Sequence, residues 1–488
     1  MDTKIFPKKP STILTYLGYG ITKEGLTKPQ LEYIRKISTL TPSNFMKDKM
    51  LGFSQQISYK FYKESPTRIY IPKHVGIKYF GPPNTTHWIC NDYVAKPNAW
   101  DFTGKLRETQ EEIIDVYSKS SASGNDGVVA LHCGGGKTVT SLNIAAKLKM
   151  KTLVIVNEED LGEQWTERIK DFFPNLKIGW IQREKCEIED TDIVIGMLQS
   201  LAKGSYDPKL LAKFGLVIVD ECHIIGSEVY TKCLIGLCAP YMLGLSATPR
   251  RKDGLTEAIN WFLGPIIYHK EHPPDEGVQV LINEYSDKDP AYNTIQYTDS
   301  GMVSHSTMLT QIATWNPRSE YIIDIVINLL KDPNRQILLI SDRRETQLEY
   351  FASRFKELNI DYGFYVGRGA LNKKEHRERV VESTKSRVIL ATYMKAKQGM
   401  DIKTLNTLIM ATPQPDIEQT TGRILRELHT ERKVNPLIVD IVDVLIPSYK
   451  RQLTKRKKYY KEKGYKIIGE IEIESDSEPE SKELDCML

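Results

Sequence analysis

Between residues 128 and 248 the chain alternates two hydrophobic patterns. Short runs of Val, Ile and Leu without polar alternation (VVALHC, TLVIVN, DIVIGM, LVIVDEC and YMLGLSAT) suit strands of a parallel sheet buried on both faces. Stretches such as TSLNIAAKLK and DLGEQWTERIKDFF space their apolar residues three and four apart, which predicts helices between several of those strands. Together they predict an α/β fold with a doubly wound parallel sheet. After a polar stretch the rhythm restarts with RQILLIS, SRVILATY, TLIMATP and PLIVDIVD, so a second doubly wound domain is expected.

This reading divides the chain into five parts. Residues 1–100, with Pro, Gly and aromatics in RIYIPKHVGIKYFGPPN, form an N-terminal module of mixed structure that selects substrate or partner. Residues 101–272 and 317–445 form the two α/β domains, with 273–316 as a linker. Residues 446–488 are an extension whose acidic end, 470–485, has too few apolar residues to fold alone.

Composition narrows the class. A chain of 488 residues predicts two or three domains. No apolar run approaches the ~18 residues of a membrane span, and MDTKIFPKKPSTIL lacks a secretory signal. We therefore expect an intracellular protein without membrane partners, for which a monomer is plausible. The seven cysteines (Cys90, Cys133, Cys186, Cys222, Cys233, Cys238, Cys486) are odd in number and form no C-x-x-C pair, which supports neither a disulfide framework nor a zinc site. The formal charge is only +4, but 450–466 is strongly basic with interleaved tyrosines.

The candidate chemistry begins at LHCGGGKT, 131–138. A strand ending in a glycine-rich turn that opens a helix aims backbone N–H groups and the helix dipole at one spot, where phosphates bind. Cys133, Gly134, Gly135 and Gly136 line that turn, Lys137 reaches the β and γ phosphates, and the Thr138 hydroxyl ligates Mg²⁺. Leu131 stands where the usual G-x-x-x-x-G-K-[ST] pattern has its first glycine, at the start of the turn and away from the Gly-Lys-Thr chemistry. Taken alone, the motif could be a structural turn. Downstream, LVIVDECH delivers Asp220 and Glu221 at a strand end, where open α/β sheets bind ligands. Asp220 is expected to hold Mg²⁺ and Glu221 to polarise the attacking water. An isolated acid pair could equally be a helix cap, but the two motifs in order point to a nucleoside triphosphatase.

At these residues the chain resembles a superfamily 2 helicase. GGGKT is similar to motif I, DECH (220–223) to motif II, SATP (246–249) to motif III, QGMDI (398–402) to motif V and QTTGRILR (419–426) to motif VI. LHCGGGKT and SATPRRKDGLTEAINWFLGP resemble the XPB-like branch, although Arg251, Lys252 and Asp253 replace its Arg-Glu-Asp loop. IMATPQPDIEQTTGRILR and DVLIPSYKRQLTKRKKYYKEKGY are most similar to helicases of large nucleocytoplasmic DNA viruses, the group containing the poxvirus transcript-release helicase.

The resemblance implies two tandem RecA-like domains and ATP-dependent strand separation or complex remodelling. It further implies DNA more than RNA as substrate, and a place in viral transcription elongation or transcript release beside the transcription machinery, in the host cytoplasm, viral factory or virion. It places Arg107 and Gln110 near the adenine, and Gln419, Gly399 and Asp401 with the nucleotide. Arg423 and Arg426, expected three apart on one helix face, would act across a cleft between the domains. His223, Ser246, Ala247 and Thr248 would couple ATP to the strand.

Nucleic-acid contact is expected mainly at the phosphate backbone. The candidates are Gln199, Ser200, Arg250, Arg251, Arg343, Arg344 and Thr392, each also explicable as a solvated loop residue. Residues 450–466 could grip phosphates and stack bases, or form a solvated terminal helix. Trp165 could line a strand path, though an aromatic at helical spacing more often sits in a core. Rival readings are a double-stranded translocase that separates no strands, the motor subunit of a nuclease, and a scaffold with a decayed ATP site. The second lacks a nuclease carboxylate-lysine cluster in either flank, and the intact motif residues argue against the third.

Overall fold

The computed structural model describes the chain apart from residues 1–4, 42–57, 96–97, 123–125, 133, 205, 227–232, 249–254, 271–273, 276, 398–399, 401, 426, 428–431 and 470–488, and apart from the side chains of 91–92, 225–226 and 373. Residue contacts divide it into two units, Met1–His272 and Pro273–Leu488. The expectations for Cys133, Arg250, Arg251, Gly399, Asp401 and Arg426, for the Arg251-Lys252-Asp253 segment and for the acidic tail fall outside the described residues.

The first unit begins with a five-stranded sheet: β1 (Thr12–Thr15), β2 (Gly18–Thr22), β3 (Lys63–Glu64), β4 (Arg68–Ile71) and β5 (Thr85–His87), ordered β3-β4-β2-β1-β5. Helices α1 (Lys28–Ile37) and α2 (Lys73–Phe80) accompany it, and a Thr27–Gln30 capping box starts α1. Residues 1–100 are not a separate module but share a core with the first α/β domain. Phe6, Tyr19, Ile69 and Phe80 belong to the same buried cluster as Val128, Leu153 and Phe262. The Phe61 ring meets Trp261 and Phe262 edge to face. Lys73 Nζ donates to Asp126 Oδ2 at 2.8 Å and to the Pro240 carbonyl at 2.9 Å.

The central sheet of this unit has eight strands: β6 (Gly127–Leu131), β7 (Thr152–Val156), β8 (Ile178–Gln182), β9 (Lys185–Cys186), β10 (Ile193–Met197), β11 (Leu216–Val219), β12 (Tyr241–Ser246) and β13 (Ile266–Lys270). The order is β9-β8-β10-β7-β11-β12-β6-β13, and only the β8–β9 pairing is antiparallel. Every residue of β6, β7, β10 and β11 is buried, as apolar runs without alternation require when helices cover both faces. Those helices include α3 (Glu108–Ala122), α4 (Lys137–Leu148), α5 (Glu159–Phe172) and α6 (Thr256–Leu263). This order sets the C-terminal ends of β11, β12 and β6 side by side, so the segments after LVIV, YMLGLS and GVVAL share one edge of the sheet. Leu131, in place of the expected glycine, is a core residue at the end of β6.

The second unit holds a seven-stranded sheet, parallel throughout, of β14 (Gln279–Tyr285), β15 (Ile337–Ile340), β16 (Tyr362–Tyr365), β17 (Val388–Ala391), β18 (Thr407–Met410), β19 (Leu437–Asp443) and β20 (Lys466–Ile468). The order is β16-β17-β15-β18-β19-β14-β20. Its helices include α7 (His305–Thr314), α8 (Asn316–Leu329), α9 (Glu349–Glu357), α10 (Lys373–Ser383), the single turn α11 (Glu418–Thr421) and α12 (Pro447–Glu462). The stretch read as a linker, 273–316, is therefore largely ordered. It supplies β14, paired with β19 over seven residues, and α7. QVLINEY buries only alternate positions, Val280 and Ile282, so it lacks the continuous apolar signature of its neighbours. Likewise 446–488 contributes α12 and the edge strand β20.

Two buried ion pairs anchor helices to β19. Arg318 of α8 donates to both Asp443 oxygens at 2.6 and 3.0 Å, and Arg456 of α12 donates to Asp440 Oδ2 at 2.7 Å.

Candidate functional site

The loop after β6 folds around two left-handed glycines, Gly134 at φ +80° and Gly136 at φ +86°, a conformation side chains rarely adopt. Gly136 precedes α4 directly and is additionally crowded: a Cβ there would collide with the Gln110 side-chain amide. Gln110, buried in the first turn of α3, accepts the Arg107 backbone N–H through Oε1 at 2.8 Å and turns its Nε2 toward the Gly136 carbonyl at 3.5 Å. Thus the segment predicted to sense the base abuts the glycine-rich loop, while Arg107 is exposed beside it.

Opposite the loop, β11 ends in Asp220 and Glu221. Asp220 is 8% exposed, and both of its oxygens accept hydrogen bonds, Oδ2 from the Trp165 indole N–H at 2.8 Å and Oδ1 from the Glu221 N–H at 2.9 Å. Glu221 has φ +47°. A left-handed non-glycine residue costs about 1–2 kcal/mol, and such strain concentrates at functional sites.

Lys137 Nζ lies 3.2 Å from Glu221 Oε1, and His223 Nδ1 lies 3.3 Å from Glu221 Oε2. Burial works to raise the Glu221 carboxyl, but the Lys137 ammonium and His223 outweigh it and hold the group well below the usual carboxylate range. Burial, reinforced by the Glu221 charge, pushes Asp220 the other way. The chain of contacts continues: His223 Nδ1 is 2.9 Å from Ser246 Oγ, which also accepts the Thr248 N–H at 3.1 Å. Lys137, Glu221, His223, Ser246 and Thr248 are therefore linked in sequence across the ends of β6, β11 and β12, with half-buried Ala247 between the last two. Thr138, half-buried, begins α4 beside Lys137.

The predicted strand contacts are mostly engaged within the protein. Gln199 Nε2 donates to the Asn157 carbonyl at 2.6 Å, and Ser200 Oγ accepts the Arg183 N–H at 2.9 Å. The Arg343 guanidinium is held against α7, donating to Thr310 Oγ1 at 3.0 Å and to the Ser306 carbonyl and hydroxyl at 2.8 and 3.0 Å. Arg344 donates to the Gly367 carbonyl at 3.4 Å, and the Thr392 carbonyl accepts from Ala396 at the start of the Tyr393–Lys397 helix. In the second unit, Gln419 is half-buried in α11. The helix expected to carry Arg423 ends at Thr421, and a turn follows. Buried Arg423 donates from this turn to the Met400 carbonyl at 3.0 Å and to that of Lys397, tying motif VI to the backbone around motif V.

Residues 103–251 match the family described as "Type III restriction enzyme, res subunit", and residues 319–427 match the "Helicase conserved C-terminal domain". A protein of Acanthamoeba polyphaga mimivirus, provisionally named an ATP-dependent RNA helicase, is 31% identical over 465 residues, covering 93% of this chain and 86% of that protein. The chain belongs to the superfamily 2 helicases, in the group found in large DNA viruses. Two further members of the group extend the match. A provisionally named helicase of Invertebrate iridescent virus 6 is 27% identical over 402 residues (74% of this chain, 82% of that protein). A provisionally named ATP-dependent RNA helicase of African swine fever virus is 28% identical over 391 residues (74% and 73%). The helicase is thus an ATP-hydrolysing, nucleic-acid-binding enzyme built on two tandem RecA-like domains. None of its described helices is long and apolar enough to cross a membrane.

Two features of these candidate residues escape sequence reasoning. Trp165 is 1% exposed, as a core aromatic should be, yet its N–H is aimed at Asp220. The apolar spacing of α5 reveals the burial, whereas the partner lies 55 residues away and carries no local signal. The tyrosines offered for base stacking are also otherwise occupied: Tyr460 and Tyr465 are buried, and the Tyr459 hydroxyl lies 2.8 Å from that of Thr421.

Proposed function

We propose that the helicase hydrolyses ATP at the edge formed by the ends of β6, β11 and β12 and uses the cycle to move along a polynucleotide. The observation that carries this reading is the run of close polar approaches from Lys137 through Glu221 and His223 to Ser246 and Thr248. Triphosphate oxygens compete with Glu221 for the Lys137 ammonium. When Lys137 turns to the phosphates, Glu221 loses its strongest stabilising charge and becomes a better base toward water. The displaced carboxylate acts through His223 on Ser246, so nucleotide state is passed to the segment after β12.

Gly134, Gly135 and Gly136 admit the phosphates, with Gln110 and Arg107 beside the base. The oxygen donors Thr138 and Asp220 suit a hard cation, and Mg²⁺ held there would neutralise charge on the phosphates. Asp220, fixed by Trp165 and by the Glu221 N–H, presents a preset carboxylate to that ion.

We read the track as DNA, from the similarity of LHCGGGKT and the segment after SATP to the XPB-like pattern, and the biological setting as transcription elongation or transcript release. RNA is the second reading, favoured by the names of the mimivirus and African swine fever virus relatives. A translocase on duplex DNA would use the same motor residues. ATPase stimulation by single-stranded DNA, duplex DNA and RNA at two salt concentrations separates the substrates, and unwinding set beside protein displacement separates the modes. Lys137→Ala and Glu221→Gln should abolish strand-stimulated turnover while leaving folding intact. Parental turnover in purified Glu221→Gln would reject the site.

A further inference from the structure

Helix α12 has two faces with different partners. Its inner face, Tyr449, Leu453, Arg456 and Tyr460, is buried against the second unit. Its outer face exposes Arg451, Lys455, Lys458 and Lys461, and the acid within the helix, Glu462, is paired to Lys458 at a loose 3.9 Å. At 1.5 Å per residue these cations span about 15 Å, the length over which one strand of a duplex, at ~3.4 Å per phosphate, presents about four phosphates. Like charges gathered on one helix face repel each other, and packing does not demand them.

This helix and its C-cap residue Lys463 hold the segment 414–421, which runs into motif VI, at three points. Arg456 Nη1 donates to the Gln414 carbonyl at 3.0 Å, the Tyr459 and Thr421 hydroxyls lie 2.8 Å apart, and Lys463 Nζ is 3.4 Å from Glu418 Oε1. Gln414, Glu418 and Thr421 lead into Arg423. A rigid helix therefore joins the cationic surface to the turn that bears the arginine.

We propose that the outer face of α12 binds the phosphate backbone of the polynucleotide and transmits its presence to motif VI through Tyr459 and Arg456. This rests on the reading of the chain as a polynucleotide motor. Charge complementarity selects the occupant. The acidic residues 470–485 of the same chain are the other polyanion within reach of that criterion, and the test distinguishes them.

The full-length chain carrying Arg451→Gln, Lys455→Gln and Lys458→Gln is compared with the parent in binding labelled single-stranded and duplex DNA across a salt series. Each phosphate contact contributes ~0.9 to the slope of log affinity against log salt for duplex and ~0.7 for single strands. The triple variant should therefore lose about 2–3 from the slope, and the strand concentration for half-maximal ATPase should rise ~10-fold or more at low salt. Tyr459→Phe should keep the parental slope and affinity but lose at least ~3-fold in maximal strand stimulation, which a merely structural tyrosine would not do.

An unchanged slope in the folded triple variant overturns the proposal. So does a strand affinity that rises alike in the triple variant and in a parental chain lacking 470–488, which would assign the face to the acidic segment. If no polynucleotide stimulates the parent, the motor reading itself fails. If stimulation is normal and only the slope is unmoved, the surface assignment alone fails.

Discussion

Replacing Trp165 by Phe tests whether the carboxylate at the end of β11 is positioned rather than merely present. The indole is 1% exposed and donates to Asp220 Oδ2 at 2.8 Å, while Oδ1 keeps the Glu221 N–H. Phe retains most of the ring packing and removes the donor. A hydrogen bond to a charged group is worth about 1.5–3 kcal/mol, and the smaller ring adds a cavity cost of about 1 kcal/mol to stability. If the donor holds Asp220 where the reaction needs it, the first quantity reappears in the transition state. At 1.36 kcal/mol per tenfold, it predicts a ~10- to 150-fold fall in strand-stimulated kcat/KM. The assay is steady-state ATP hydrolysis over a Mg²⁺ titration, with the folded fraction of each preparation measured by thermal melting. A purely structural Trp would lower the folded fraction and leave turnover per folded molecule unchanged. Folded Trp165→Phe within threefold of the parent, at an unshifted Mg²⁺ midpoint, would refute the reasoning.

Two further predictions concern stability. Arg318 and Asp443 are fully buried partners, so Arg318→Met leaves Asp443 uncompensated and should cost ~3–5 kcal/mol. A companion Asp443→Leu should recover much of that loss, and a urea midpoint shift worth under ~1 kcal/mol for the single variant would contradict the assignment. In the N-terminal sheet, Arg35 first and Lys23 second hold Glu64 down at about 2, from an ordinary 4.5. Because the folded value is depressed, the stabilisation is complete above about pH 4.5 and is lost as pH falls toward 2. The stability gap between parent and Glu64→Gln should therefore narrow over that window in acid unfolding titrations, and a gap constant from pH 6 to 3 would count against it.

The segments that share the sheet edge were largely legible in the sequence. GGGKT, DEC and SAT follow apolar runs whose continuity marks them as buried parallel strands, and parallel strands deliver their succeeding loops to one edge of a sheet. Less legible were elements whose signature depends on a neighbour. QVLINEY reads as a polar connector because only one face of β14 meets the core, yet its pairing with β19 makes it part of the second sheet. Residues 1–100 read as a module apart because nothing local announces that Lys73 has its partner at Asp126, or Phe61 at Trp261.

The two parallel sheets and the order of the candidate motifs along them were thus written in local residue order, because hydrophobic period and glycine placement act over a few residues. Which groups meet was decided only by folding. The indole that fixes Asp220, the ammonium that restrains Glu221 and the hydroxyl that ties α12 to motif VI each join positions dozens of residues apart. Such pairings exist only once strand order and helix packing bring the chain back on itself, since a hydrogen bond requires an approach of about 3 Å that no linear pattern encodes.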